Sequence, residues 1–290
     1  MTGKTISLVL GSGGARGLAH IGVIQWLTEQ GYEIRSIAGA SMGAVVGGIY
    51  AAGKLDVYAN WVCGLQRMDV LRLLDPTLGQ AGLIKGQRIL EALRTLIGDR
   101  AIEELPISFT AVATELDSGK EVWLQQGSLF DALRASFSTP LVFTPWARDG
   151  RTLVDGAVVN PIPIAPTLSD HTDLTIAVVL NGADVEPPPT AAKAGPAANA
   201  GALQRIGHWL RGLLPGADHG SPLGKLDVAF AAMDNMQNTI ARLKLATYSP
   251  DVTVEIPRNA CGYLEFWRAP ELIGLGRERM AAALSGHRRA

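Results

Sequence analysis

The chain of 290 residues is poor in cysteine and carries almost no net charge. Cys63 and Cys261 are its only cysteines, and 26 basic side chains stand against 27 acidic ones, a formal net charge of −1. Two lone thiols supply neither a disulfide framework nor a metal-ligand set, so a reducing, cytoplasmic setting is the default. Near-neutrality leaves no electrostatic footprint for nucleic acid and no whole-chain attraction to anionic lipid. No metal-binding cluster is visible, and nothing calls for a cofactor. A secretory leader is not expected, because Met1 to Lys4 is followed by only six residues of mixed apolar character before Gly11. No internal repeat is evident. One run resembles a membrane helix: Ser36 to Gly53 is uncharged, with Gly39, Gly43 and Gly47 at G-x-x-x-G spacing. Its first part reads as a strand end and a turn. The helix left over, about Met42 to Ala52, spans roughly 17 Å at 1.5 Å per residue, too short for a bilayer. A buried helix behind a parallel sheet accounts for the composition.

What is present is an apolar fraction of 47%, enough for a substantial core. Thr5–Leu10 and Ile34–Ala38 read as strands, Gly17–Gln30 and Met42–Ala52 as helices ended by Gly31 and Gly53. This alternation implies a parallel sheet covered on both faces. Asp56 to Leu74 is amphipathic, with Trp61, Leu65, Met68, Leu71 and Leu74 at helical spacing. Gly86–Gly98 and Leu129–Ser136 read as helices. Ile107–Thr114 and Glu121–Leu124 read as strands joined by a Ser118-Gly119-Lys120 turn. A short strand at Leu153–Val154 precedes Asp155-Gly156-Ala157, and Leu174–Leu180 is an uncharged buried strand. Residues 183–225 form a Pro/Ala/Gly-rich stretch, expected as a flexible insertion. Inside it, Leu203–Leu214 has the pattern of a short amphipathic helix, either interfacial or lid-like. Helices near Leu226–Thr247 and Ala269–Leu284 flank a strand at Val252–Ile256. The length suits one domain over 1–290 or two small ones.

Two glycine-framed turns carry the chemistry. Gly11-Ser12-Gly13-Gly14-Ala15-Arg16-Gly17 follows the first strand and offers bare backbone N–H groups at a helix start, a setting that suits an anion. Gly39-Ala40-Ser41-Met42-Gly43 follows the second strand and fits the G-x-S-x-G elbow. Bulk two residues before or after that serine would collide across the turn, and Gly39 and Gly43 remove it. A dinucleotide site is disfavoured. The sixth position from Gly11 is Arg16 instead of glycine, and the second strand ends without an acidic residue. The base for Ser41 is less legible. His20 lies within a helix as a packing or surface residue, and His171, His208, His219 and His287 follow no strand end that would hold an imidazole rigid. Asp155 sits directly after a strand among small and apolar neighbours, where partial burial would raise its basicity. Taken alone, Asp155-Gly156 equally reads as a plain turn.

Together, Gly13-Gly14-Ala15-Arg16-Gly17, Gly39-Ala40-Ser41-Met42-Gly43 and Asp155-Gly156-Ala157 resemble the patatin-like phospholipases, in particular their short bacterial members. The stretches Val112–Leu116, Ala135–Pro140, Phe143-Thr144-Pro145 and Asn160–Pro163 extend the resemblance. It implies a three-layer α/β fold, a central mostly parallel sheet with helices on both faces. It also implies a Ser–Asp dyad, with Ser41 as nucleophile and Asp155 as base. The amides of Gly13, Gly14 and Ala15 would form the oxyanion hole. Arg16 would steady the loop, and Gly17, Gly39, Gly43 and Gly156 would support the turns. Ser12 and Ala157 depart from the family's glycines by small replacements. The expected substrate is a fatty acyl ester of a phospholipid or lysophospholipid, with transient contact at the inner membrane face. Trp61, Leu65, Leu71, Phe137, Leu141, Phe143 and Trp146 are candidates for an acyl groove or bilayer contact. A small-ester or thioester hydrolase, and a non-catalytic regulator of the same fold, are the competing readings.

Overall fold

The computed structural model describes residues 3–77, 82–185 and 225–287. From the start the chain alternates as the apolar runs require. Strand β1 (Thr5–Leu10) leads through a 3-10 turn (Gly14–Leu18) into helix α1 (Ala19–Glu29). Strand β2 (Glu33–Ala40) leads into α2 (Met42–Ala51). Gly31 and Gly53, at φ 77° and 71°, reverse the chain after these helices. The uncharged run from Ser36 is thus a strand end, a turn and a ten-residue helix. Among the described residues no helix is long and apolar enough to cross a membrane.

The amphipathic stretch before Leu74 is two helices, α3 (Leu55–Cys63) and α4 (Arg67–Leu73). The apolar spacing runs through both, but Gln66 and Asp69 form a capping box that starts a second helix. Helix α5 (Gln87–Ile97) precedes the hairpin β3 (Ser108–Glu115) and β4 (Glu121–Leu124). Helix α6 (Leu129–Ser136) is followed by a second hairpin, β5 (Trp146–Arg148) and β6 (Arg151–Asp155). At three residues, β5 is too short to show a sequence period. Strand β7 (Leu174–Gly182), helix α7 (Lys225–Tyr248), strand β8 (Val252–Pro257) and helix α8 (Ala269–His287) complete the described chain. The amphipathic pattern at Leu203–Leu214 lies outside the described residues, as does most of 183–225.

The eight strands form one sheet, ordered β5-β6-β3-β2-β1-β7-β8, with β4 also on β3. Pairings among β3, β2, β1, β7 and β8 are parallel, and those of β4, β5 and β6 are antiparallel. Successive side chains of β1 point to opposite faces. Ile6, Leu8 and Leu10 join a large core with α1, α2, α6 and α8. Val9 joins a smaller one with Ile162, Ile164 and Ala241 of α7. Helices therefore cover both faces, unequally.

One register detail positions the site. Ala111 pairs with both Gly39 of β2 and Leu124 of β4, so these two strands lie on opposite edges of β3. Ala113 pairs with both Val122 of β4 and Asp155 of β6. Strands β2 and β6 therefore share one edge of β3. The last paired residue of β2, Ala40 opposite Val112, adjoins the last of β6, Asp155 opposite Ala113.

On the larger face α1 and α8 pack in close contact. A Cβ on Gly22 would lie 1.9 Å from the Ile273 carbonyl oxygen, and one on Gly276 would lie 2.0 Å from that of Ala19. Gly22→Ala is expected to destabilise the protein by about 1–3 kcal/mol through overpacking, read as a lower urea midpoint. An unchanged midpoint would mean that the two helices separate freely.

Candidate active site

Ser41 joins β2 to α2 with φ 55° and ψ −124°, one of four non-glycine residues at positive φ among the described residues. Such backbone costs on the order of 1–3 kcal/mol and persists only where its surroundings hold it. Here a Cβ on Gly43 would fall 2.0 Å from the Leu10 carbonyl oxygen, and one on Gly39 would fall 2.5 Å from the Gly43 carbonyl carbon. The turn therefore closes only around glycine at both positions. Its other clamp is Ser136, whose Oγ accepts the Ser41 N–H at 3.0 Å and donates to the Val112 carbonyl at 2.7 Å. The Ser41 residue is buried, at 3% exposure.

Asp155 ends β6, where the shared edge of β3 brings it against the Ser41 turn. Gly156 allows the chain to leave that edge, since a Cβ there would meet the Val112 carbonyl oxygen at 2.2 Å. The carboxyl is 2% exposed. Oδ1 accepts the Ala157 N–H at 2.9 Å, and Oδ2 accepts the Thr139 hydroxyl at 2.6 Å. Burial pushes the carboxyl up to about 6, opposed by hydrogen bonds from Thr139, Ala157 and the Ser41 side chain. The ends of β2 and β6 thus set Ser41 and Asp155 side by side, and the Ser41 side chain helps to hold the carboxyl ionised.

No described histidine lines the cavity at Ser41. His20 is fully buried rather than at the surface, and burial lowers it to about 4. Neutral at working pH, it donates from Nε2 to the Gly11 carbonyl at 2.9 Å and so braces the glycine turn from behind. His171 and His287 are exposed, and His208 and His219 lie outside the described residues.

The glycine turn is anchored by backbone bonds. Gly11 N–H donates to Val178, and Ser12 N–H to Pro161. Arg16 is buried, donates from Nε to the Gly13 carbonyl at 3.2 Å and pairs with Asp234 at 3.5 Å. Gly17 sits against Met42, with space for no Cβ. One expected donor is corrected: the Ala15 N–H is committed to the Tyr263 carbonyl at 2.8 Å, so it is unavailable to a substrate oxyanion. The amides of Gly13 and Gly14 bond no acceptor among the described residues, and neither does that of Met42 in the open first turn of α2. Gly14 has φ 57°, and Tyr263 leaves no room for a Cβ there.

Three residues missed in the sequence complete the site. Thr139 holds Asp155, and its Oγ1 lies 3.0 Å from the Tyr263 hydroxyl. Arg134 is buried and stacked against Phe137, Phe143 and Trp146, and it donates to the carbonyls of Lys85 and Thr144. Desolvation lowers it to about 10, still cationic at neutral pH. Thr139 lay within a stretch noted only for its resemblance, and Tyr263 follows no motif.

A narrow cavity runs from Ser41 and Gly14 between α3, α4 and α5, lined by side chains such as Val45, Trp61, Leu65, Leu93, Phe137 and Phe143. Of the proposed groove residues, Leu71 and Leu141 instead point outward, at 50% and 43% exposure. Trp146 packs on Arg134. Among the described residues no cluster of His, Cys, Asp and Glu could hold a metal ion.

An elbow serine thus lies beside a buried carboxyl and open backbone amides. The family model described as patatin-like phospholipase matches residues 8–168. An uncharacterized NTE family protein of Mycobacterium tuberculosis is 43% identical over 96% of this chain and 91% of its own length. The Saccharomyces cerevisiae lysophospholipase NTE1 is 30% identical over 65% of this chain, which spans 11% of that protein. In structure the chain is similar to VipD of Legionella pneumophila, with a TM-score of 0.45, 14% identity and coverage of 98% of this chain and 67% of that one. The chain belongs to the patatin-like phospholipase family, and so, at the level of the family, to the lipid ester hydrolases.

The buried carboxyl has a measurable consequence. With its pKa raised from 3.8 to about 6, the folded state holds this proton more tightly than the unfolded chain. Ionisation therefore costs stability as pH rises through that window, and the cost is complete above it. Asp155→Asn is expected to be more stable than the parent at pH 8, by on the order of 2–3 kcal/mol, and so to melt higher, with the gap closing toward pH 4. A lower melting temperature at pH 8 would contradict the desolvated carboxylate.

Proposed function

We propose that the protein hydrolyses fatty acyl esters of phospholipids or lysophospholipids through an acyl-enzyme on Ser41. Asp155 takes the Ser41 proton as Oγ bonds to the ester carbonyl carbon. The amides of Gly13 and Gly14, joined by that of Met42, receive the charge that develops on the carbonyl oxygen. The ester C–O bond then breaks, the alcohol departs, and water, activated by the same carboxylate, releases the fatty acid. The observation that carries this reading is the near-complete burial of Asp155 beside Ser41, which lines the polar end of an apolar cavity. An isolated carboxylate in water, with a pKa of about 3.9, is too weak a base. Held near 6, it is ionised at neutral pH and far more basic.

The cavity supports the acyl side of the substrate. It offers hydrocarbon walls and a polar end only where Ser41, Gly14, Thr139 and Tyr263 meet. Each methylene buried there contributes about 0.8 kcal/mol, roughly fourfold in kcal-to-rate terms at RT of about 0.6 kcal/mol. Outward-facing Met68 and Leu71, on the α4 flank of the cavity, support transient contact with a lipid surface.

Ser41→Ala and Asp155→Asn are each expected to lower turnover of a long-chain lysophospholipid by at least about 10³-fold. For the parent, log kcat/KM should climb with pH and level off above about 6, the direction set by loss of the Asp155 proton. Across p-nitrophenyl esters from butyrate to laurate, kcat/KM should rise with chain length. A steep preference for the shortest esters would instead favour a small-ester or thioester hydrolase. Failure of a fluorophosphonate probe to label Ser41 would favour a non-catalytic role.

A further inference from the structure

The departing alcohol needs a proton, and a hydrogen-bonded row leads from the base toward it. Asp155 Oδ2 accepts the Thr139 hydroxyl at 2.6 Å, and Thr139 Oγ1 lies 3.0 Å from the Tyr263 hydroxyl. Ser41, Thr139 and Tyr263 all face the same cavity. Tyr263 is fixed elsewhere too. Its carbonyl accepts the Ala15 N–H, and its ring would stand 2.6 Å from any Cβ on Gly14. Burial pushes the phenol well above its ordinary value, so Tyr263 carries its proton at any working pH.

The direction of the row follows the charge on Asp155. An ionised carboxylate only accepts, so Thr139 must donate to it and Tyr263 must donate to Thr139. Once Asp155 has taken the Ser41 proton, the row can reverse. We infer that Tyr263 protonates the leaving alcohol and is resupplied by Asp155 through Thr139. This assignment rests on the Ser41–Asp155 reading above. As the ester C–O bond breaks, its electron pair moves onto the alcohol oxygen, which takes the Tyr263 proton. Tyr263 takes the Thr139 proton, and Thr139 takes the one held at Asp155 Oδ2. Asp155 ends as the carboxylate needed for deacylation, and both hydroxyls end neutral.

The test compares two esters of one fatty acid by kcat/KM, which reports acylation. A p-nitrophenyl ester releases a stable phenolate and needs no proton, whereas a glyceryl ester releases an alkoxide that does. Tyr263→Phe is expected to lose about 10²-fold on the glyceryl ester and at least about tenfold less on the p-nitrophenyl ester. Thr139→Val should shift the same ratio, and the double variant should shift it no further than either single change. The ratio is insensitive to partial misfolding, because both substrates meet the same active molecules. Equal losses on the two esters in Tyr263→Phe, or an unchanged ratio in Thr139→Val, would overturn the relay. Ser41→Ala is the separate control: if it keeps turnover, the dyad itself is wrong, whatever the ratio.

Discussion

Strands β2 and β6 run in opposite directions and end against each other on one edge of β3. That edge can hydrogen-bond only one strand at each point, so where β2 turns away, β6 must stop. The two residues at this junction are the serine of the elbow and the aspartate of the second hairpin. Their proximity is therefore a property of backbone pairing, not of flexible side chains meeting by reach. Val112, at the junction, ties the parts together. Its carbonyl accepts from Ser136, which holds the Ser41 amide, and presses against Gly156. Side chains placed this way need little reorganisation to meet.

Burial sets the chemistry of that junction. Ser41, Ser136, Ser138, Thr139 and Asp155 are all within the protein interior. Desolvation alone would drive the carboxyl higher still. Bonds from Thr139, Ala157 and Ser41 act in the opposite direction. The outcome lies between a free aspartate and a fully neutralised one. The stability lost by ionising a buried group is the counterpart of its basicity.

The glycine turns were legible in the sequence because their constraint is local. Gly39 is required by Gly43 and Ala44 inside the turn and Gly43 by the Leu10 carbonyl of β1, yet both fall within five residues and so appear as a compact pattern. The alternation of β1, α1, β2 and α2 was legible for the same reason, through apolar periods. The partner of Ser41 was not, except through family resemblance, because it depends on a register between residues 113 and 155 that no local pattern encodes. The free amides of the glycine turn stop one residue short of what its sequence suggests. Ala15 has the right position in the turn, but Tyr263, nearly 250 residues on, takes its amide. The split of α3 from α4 turned on two polar residues, Gln66 and Asp69, inside a continuous apolar rhythm.

Arg134 links two parts of the molecule that substrate would meet separately. Its guanidinium stacks on Phe137 and Phe143 of the cavity wall and donates to Ser138. The Ser138 carbonyl in turn receives the Asp155 amide at 3.0 Å. One cation thus serves as a common hinge pin for the hydrocarbon wall and for the strand end that carries Asp155. Reshaping the wall at 137 or 143 to suit a different chain would also move that pin. A change of side chain in the wall is thereby transmitted through Ser138 to the backbone at residue 155.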